Sequence, residues 1–309
     1  MLKRVLITGA TGLIGKHICQ NLMKRGDEII IVSRSNEKAK NAIPGAKVYI
    51  DWEELRLQGK NYPCELLEGI DAVINLAGEN VMSKRWTEKQ KEKILNSRVL
   101  GTKKLIEIIS KLSNKPECFL SASAIGYYGN SEIVEFTEDD EPSDNFLGQV
   151  TKCWEEEVKK INKINDIREV RIRLGIILDK KEGAFVKFIP QFKYFLGGTL
   201  GGGTQWFPWI HIHDVVSIFL FALDNKNVVG PVNAVAPEFI NMKEFCLSLG
   251  KTMRRPSILK IPKFLLRIAL GESAAVITSG AKIKPAKLIA LGYKFKFTKI
   301  EKAQKDLLT

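Results

Sequence analysis

Between residues 8 and 15 the chain reads Thr8-Gly9-Ala10-Thr11-Gly12-Leu13-Ile14-Gly15. This follows the apolar run Arg4–Thr8 and opens a stretch, Leu13–Arg25, in which Leu13, Ile14, Ile18 and Leu22 fall on one helical face. No other feature constrains the chain as much. Glycines at this spacing permit a tight strand-to-helix turn and let backbone amides approach a pyrophosphate, where the helix dipole and unpaired N–H groups favour negative charge. Gly9, Thr11, Gly12, Leu13, Ile14 and Gly15 are therefore the candidate phosphate contacts. A mononucleotide phosphate loop would need glycine at position 10 and Ser or Thr at 17, where this chain has Ala10 and His17. The turn points to a dinucleotide.

The rest of the chain fits that start. Apolar runs at Arg4–Thr8, Glu28–Ser33 and 72–77 alternate with helix-period segments at Leu13–Arg25 and 86–110. Further strands are expected at 119–123, 170–174 and 232–236, with helices at 145–162 and 213–223. Such alternation predicts an α/β fold, a Rossmann-type doubly wound parallel sheet. Residues 183–208 are rich in Gly, Phe and Pro and read as loop, and from Pro237 the alternation gives way to short helices broken by prolines. The expected organisation is a dinucleotide-binding domain, 1–182 completed by 209–236, with 183–208 and 237–309 forming a smaller substrate-facing part.

The ribose contact is decided after the second strand. An NAD site would place an acidic residue there, whereas this chain has Ser33-Arg34-Ser35. Arg34 can pair with a 2′-phosphate or stand as a solvated loop charge. The expected cofactor is NADP(H), with NAD(H) second.

Further blocks carry a resemblance. They are Asn75-Leu76-Ala77-Gly78-Glu79, Ser97-Arg98-Val99 with Gly101-Thr102, Ser121-Ala122-Ser123-Ala124-Ile125-Gly126-Tyr127-Tyr128-Gly129, and Trp209-Ile210-His211-Ile212-His213-Asp214. Arg255-Pro256, Leu270-Gly271-Glu272 and Lys284-Pro285 follow. With the glycine turn, they resemble the extended short-chain dehydrogenases/reductases, in the atypical epimerase-like branch of nucleoside-diphosphate-sugar epimerase relatives. The resemblance implies that Leu76, Ala77, Gly78, Arg98, Ser121 and Ala122 lie against the cofactor and that Ser123 is the catalytic serine. It implies an oxidoreductase or epimerase acting on a hydroxyl or carbonyl of a small anionic, nucleotide-sugar-like substrate, in a possible homodimer.

One departure stands out. Active members of that superfamily carry Tyr-x-x-x-Lys on the helix after this strand, the lysine lowering the tyrosine's pKa. Registered on Glu155, the two positions are Leu147 and Thr151; shifted by one, they are Gly148 and Lys152. Two accounts stay open: another acid takes over, with Tyr127, Tyr128 and Glu79 as candidates, or the chain is a non-catalytic NADP(H)-binding sensor or partner-binding protein.

The remaining features are weaker. His211 and His213 are too few for a structural zinc site, and Asp214 reads as a helix cap. Residues 132–144 hold seven acidic groups and read as a solvated loop. Of the net charge of +13, eleven belong to residues 251–309, with fourteen Lys and Arg against three Asp and Glu. That surplus is either a solvated surface or a set of arginines, Arg254, Arg255 and Arg267, facing the substrate. Nucleic acid is not expected as a partner, since stacking aromatics and a recognised motif are missing from the basic region. Cys19, Cys64, Cys118, Cys153 and Cys246 form no C-x-x-C pair and read as reduced thiols. No apolar run approaches 18 residues, so no membrane contact is expected and a cytoplasmic setting is the default.

Overall fold

The computed structural model describes residues 2–57, 66–164 and 167–309; Cys64 lies outside them. In chain order the elements are β1 (Arg4–Thr8), α1 (Leu13–Arg25), β2 (Glu28–Ser33), α2 (Asn36–Ala42), β3 (Val48–Asp51), α3 (Trp52–Leu57), β4 (Ala72–Asn75), α4 (Glu88–Ile109) and β5 (Cys118–Ala124). They continue with β6 (Glu135–Phe136), α5 (Phe146–Lys159), β7 (Arg168–Leu174), β8 (Ile176–Leu178), α6 (Ala184–Lys193), β9 (Gly198–Leu200), β10 (Trp209–His211), α7 (Ile212–Asp224) and β11 (Gly230–Ala234). The C-terminal part adds α8 (Met242–Met253), β12 (Leu259–Ile261), α9 (Lys263–Leu270), α10 (Ala275–Thr278), β13 (Lys282–Ile283), α11 (Ala286–Ala290) and α12 (Ile300–Leu308).

Seven strands form one parallel sheet in the order β11-β7-β5-β4-β1-β2-β3. Runs such as Val5–Leu6–Ile7 and Ile29–Ile30–Ile31–Val32 are buried throughout, as they must be when helices cover both faces. The chain leaves β1 toward β2 and β3, then returns to build β4, β5, β7 and β11 on the other side. Right-handed crossovers therefore put α1 and α4 on opposite faces, and the order reverses between β1 and β4. Such a reversal is the place where open α/β sheets take their ligands.

Two expectations need correction. Residues 183–208 are not all loop: Phe185, Phe188 and Phe192 recur at helical spacing and are buried, so α6 forms despite Pro190. They build a second core with Phe207, Trp209 and Phe245, in which the Phe207 and Phe245 rings lie 4.3 Å apart. Strand β3 was not anticipated, being only four residues long with two of them polar or aromatic.

Asp214 is not the cap of α7. His211 takes that place, its Nδ1 accepting from the His213 amide at 3.1 Å. The Asp214 carboxylate instead accepts the amides of Lys296 and Phe297 at 2.8 and 2.9 Å and fastens the C-terminal segment to the sheet domain. Asp214 is 1% exposed, so Asp214→Ala should strand a buried donor and cost about 1–3 kcal/mol in urea unfolding. It should also speed proteolysis after residue 290; a variant as stable and as resistant as wild type would contradict this.

Candidate functional site

The glycine turn forms a cradle. Gly9 has φ +70°, and a Cβ there would lie 2.7 Å from the Leu76 carbonyl carbon; one on Gly15 would lie 2.4 Å from the Gly9 oxygen. These two glycines are demanded by packing. Gly12 is different, because the nearest atom to a Cβ there is the Gly9 oxygen at 3.3 Å and the residue is exposed. Its bare backbone opens outward. As N-cap of α1, Gly12 supplies no capping side chain, and no acid stands in the first turn, so the helix's first amides await an anion. Thr8 fixes this turn against β4: its hydroxyl donates to Asn75 Oδ1 at 2.7 Å and accepts from the amides of Leu76 and Ala77 at 3.2 and 3.3 Å. Asn75 in turn reaches Thr102 and Ser121.

At the end of β2, Ser33 and Ser35 hydrogen-bond one another, and Ser35 caps α2 through the Lys38 amide. Arg34 between them is exposed and makes no ion pair among the described residues. Its charge reaches Glu79. Burial raises the Glu79 pKa, but hydrogen bonds from Lys93 and Gln90 and the charges of Lys93 and Arg34 outweigh it, so the carboxyl is held below its usual range. Lys93 pairs with Glu79 at 3.2 Å. Arg98 stacks under Gly78, where a Cβ would lie 3.1 Å from its guanidinium carbon. It faces the Trp154 ring at 5.2 Å and donates to the Ile94 carbonyl. Burial pulls its pKa down to about 10 against the pull of Glu79.

The α5 side of the site holds a network that the motif reading missed. Ser123 and Glu155 are each 2% exposed, and the Ser123 hydroxyl donates to Glu155 Oε1 at 2.6 Å. Arg173 binds both oxygens of that carboxylate, Nε to Oε1 at 2.8 Å and Nη2 to Oε2 at 2.9 Å, and Arg171 adds a bond at 3.1 Å. Arg173 Nη1 also donates to Tyr128, whose hydroxyl donates to Asn233 Oδ1 at 2.7 Å. The Ser123 hydroxyl thus donates its proton to Glu155. Ser121 is likewise buried, donating to the Ala122 carbonyl, and Ala122 is buried beside it.

The two tyrosines separate. Tyr128 is 3% exposed with its hydroxyl fully used, so it packs. Tyr127 is half-buried, its ring 3.6 Å from the Arg173 guanidinium carbon, and its hydroxyl makes no hydrogen bond among the described residues. Burial raises its pKa against the pull of Arg173. It is the phenol open to a ligand.

No tyrosine–lysine pair enters from α5. Leu147 packs its side chain on Gly126, and the Thr151 hydroxyl is satisfied by the Leu147 and Gly148 carbonyls of its own helix at 2.6 and 3.0 Å. The shifted register is closed sterically, since a Cβ on Gly148 would lie 2.1 Å from the Ser143 oxygen. The acidic loop also needs correction at one position: Glu138 is buried and accepts the amides of Asn233 and Lys287. The three histidines line a separate cavity of about 240 Å³ between α1, α7 and α12. Among the described residues no group of three or more His, Cys, Asp or Glu could hold a metal.

Residues 5–173 match the NAD dependent epimerase/dehydratase family. The chain belongs to that family. Residues 261–307 match a second family, DUF1731, described only as a domain of unknown function. The chain is 36% identical to the Arabidopsis thaliana epimerase family protein SDR39U1 homolog, chloroplastic, over 98% of its own length and 86% of that relative. It is also 36% identical to the epimerase family protein YfhF of Bacillus subtilis, over 98% and 97%. The crystal structure of human epimerase family protein SDR39U1 with NADPH superposes with a TM-score of 0.86 at 31% identity, covering 98% of each chain. UDP-glucuronic acid 4-epimerase from Bacillus cereus shares the fold, with a TM-score of 0.76 at 20% identity over 99% and 98%. The family is nicotinamide-dinucleotide dependent by its own description, and the cradle at residues 9–15 fits such a cofactor.

Glu155→Gln removes the carboxylate from between two arginines and should cost about 3–5 kcal/mol at neutral pH. Burial raises the Glu155 pKa, but hydrogen bonding and charge from Arg173 outweigh it and hold the group below its usual range. Its contribution is therefore complete above the ordinary carboxylate pKa and lost as pH falls through the folded value. Urea titrations across that acid range should show the loss in wild type and its absence in the variant; identical profiles would remove Glu155 from the network.

Proposed function

We propose that this protein is an NADP(H)-binding oxidoreductase or epimerase of the extended short-chain type, acting on a hydroxyl or carbonyl of a small anionic, nucleotide-sugar-like substrate. One observation carries the reading: an exposed, unpaired Arg34 stands at the end of β2, and the uncapped N-terminus of α1 opens outward at Gly12 to receive a pyrophosphate. NADPH in the human SDR39U1 structure supports the choice of cofactor. In this reading residues 1–182 and 209–236 hold the dinucleotide, while 183–208 and 237–309 face the substrate. Residues 9–15 would hold the pyrophosphate, Arg34 the 2′-phosphate, and Arg98 a second anionic group.

NADPH supplies a hydride when bound. The chain's part is the proton. With its pKa raised by burial, Tyr127 stays a neutral phenol near neutral pH and can donate to a carbonyl oxygen as that oxygen becomes an alcohol. The Arg173 guanidinium beneath the ring offsets the phenolate left behind. Ser123 and Glu155 act one step back by fixing Arg173. A second reading, a dinucleotide-binding sensor or partner-binding protein, draws on Leu147 and Thr151 filling the places of the absent pair.

NADPH should bind more tightly than NADH by calorimetry. Arg34→Ser should weaken NADPH about 10- to 100-fold, as expected for one charge-assisted contact, and leave NADH unchanged. Tighter binding of NADH would sink the assignment. Followed by NADPH absorbance over a panel of aldehydes, ketones and nucleotide sugars, Tyr127→Phe should slow turnover about 10²–10⁴-fold, and Tyr128→Phe should act on stability. Tight NADPH binding with no oxidation across the panel would favour the sensor.

A further inference from the structure

Strands β9 and β12 pair in parallel, Leu259 beside Gly198 and Ile261 beside Leu200, and α9 follows β12 almost at once. This small unit presents apolar side chains to solvent. Tyr194, Phe195 and Leu196 lead into β9 and Ile258 into β12, all exposed, while Phe264 and Ile268 on α9 are 61% and 67% exposed. Not one residue of α9 is buried. Exposed apolar residues concentrated in one small unit mark a contact site.

Backbone geometry singles out the same place. Phe195 (φ 63°) and Arg254 (φ 55°) are the only non-glycine residues with left-handed backbone among the described residues. Bulky residues avoid that conformation unless the surroundings impose it. The Arg255 guanidinium lies 4.5 Å from the Phe195 ring, so basic and apolar groups interleave.

The charge has one sign. Residues 183–200 and 251–271 together hold eight Lys and Arg and no Asp or Glu. Lys251 pairs with Glu301; the other seven make no ion pair among the described residues. Along α9, Lys263 and Arg267 lie four residues apart on one side while Phe264 and Ile268 take the next. Exposed aromatic and aliphatic residues flanked by bases are the composition that lies in a lipid headgroup layer.

We propose that the β9–β12 ribbon and α9 form a docking surface for an anionic lipid bilayer. A second copy of the chain suits the patch poorly, because a two-fold contact would press the all-basic surface against itself. Nucleic acid suits it less well: Tyr194, Phe195 and Phe264 offer rings, but the exposed aliphatic side chains Leu196, Ile258, Leu259, Leu265 and Ile268 outnumber them and cannot stack. The attachment is peripheral: no described helix is long and apolar enough to cross a membrane.

The test is co-sedimentation of the full chain with vesicles of phosphatidylcholine alone and of phosphatidylcholine mixed with phosphatidylglycerol. Binding is expected to the mixed vesicles only, and to fall steeply with added salt. Phe264→Ser with Ile268→Ser, and separately Lys263→Glu with Arg267→Glu, should each lower the bound fraction at least tenfold. Circular dichroism and thermal melting should match wild type, because no residue of α9 is buried. The proposal is overturned if the mixed vesicles leave the protein in the supernatant at low salt, or if both double variants sediment like wild type. It is equally overturned if the variants split a dimer seen by light scattering while vesicle binding is absent, which would assign the face to a second copy.

Discussion

A carboxylate buried between two arginines organises the half of the molecule in which chemistry would take place. Removing these three charges from water, with Glu169 on Arg171 a fourth, is expensive, and the cost is offset only where geometry is close and spare hydrogen-bonding groups are matched. Glu155 meets both conditions. Its two oxygens take the fork of Arg173, a bond from Arg171 and the Ser123 hydroxyl. Through Tyr128 and Asn233 the same network reaches β11, and through Glu138 it reaches the amide of Lys287 in the C-terminal part. One polar chain thereby joins α5, three strands of the sheet and the segment that closes over them. Relaxing any member would loosen the floor on which Tyr127 rests.

Much of the frame was legible beforehand because it depends on local chemistry. Three glycines between an apolar strand and an amphipathic helix leave few folds open, and buried parallel strands show as unbroken β-branched runs. The cradle and the exposed Arg34 followed from those signals. The parts that escaped depend on contacts far apart in sequence. Glu155 served only to register the missing motif, yet it is the centre of the network. Arg171 and Arg173 carried a usable sign, since two arginines two apart in an interior strand share a face and must find a buried partner. Glu138 was hidden in a run of seven acids, where nothing local distinguishes the one whose carboxylate receives amides from residues 233 and 287. Ser123 shows a different gap: the motif match supplied a role, and its hydrogen bond to Glu155 was invisible in the sequence.

The charge surplus also changed its meaning. Counted over the whole chain, it suggested an anionic ligand without locating one. In the fold, part of it meets carboxylates, as when Lys282 pairs with Glu135 at 2.9 Å, and part stays unpaired around Phe195 and α9. The arginines expected to face the crevice are split by their surroundings: Arg254 and Arg267 are exposed, and Arg255 lies over an aromatic ring. Charge and apolar exposure coincide on a surface remote in sequence from the glycine turn.

The tight contact at Gly148 bears on ancestry and engineering alike. Because Ser143 leaves no room for a side chain there, only one of the two helical registers that could hold a tyrosine and a lysine is open to mutation, through Leu147 and Thr151. The mutational path between this chain and a tyrosine–lysine catalyst is a single narrow corridor. It passes through a leucine packed on Gly126 and a threonine satisfied within its own helix, so each step gives up a contact already made.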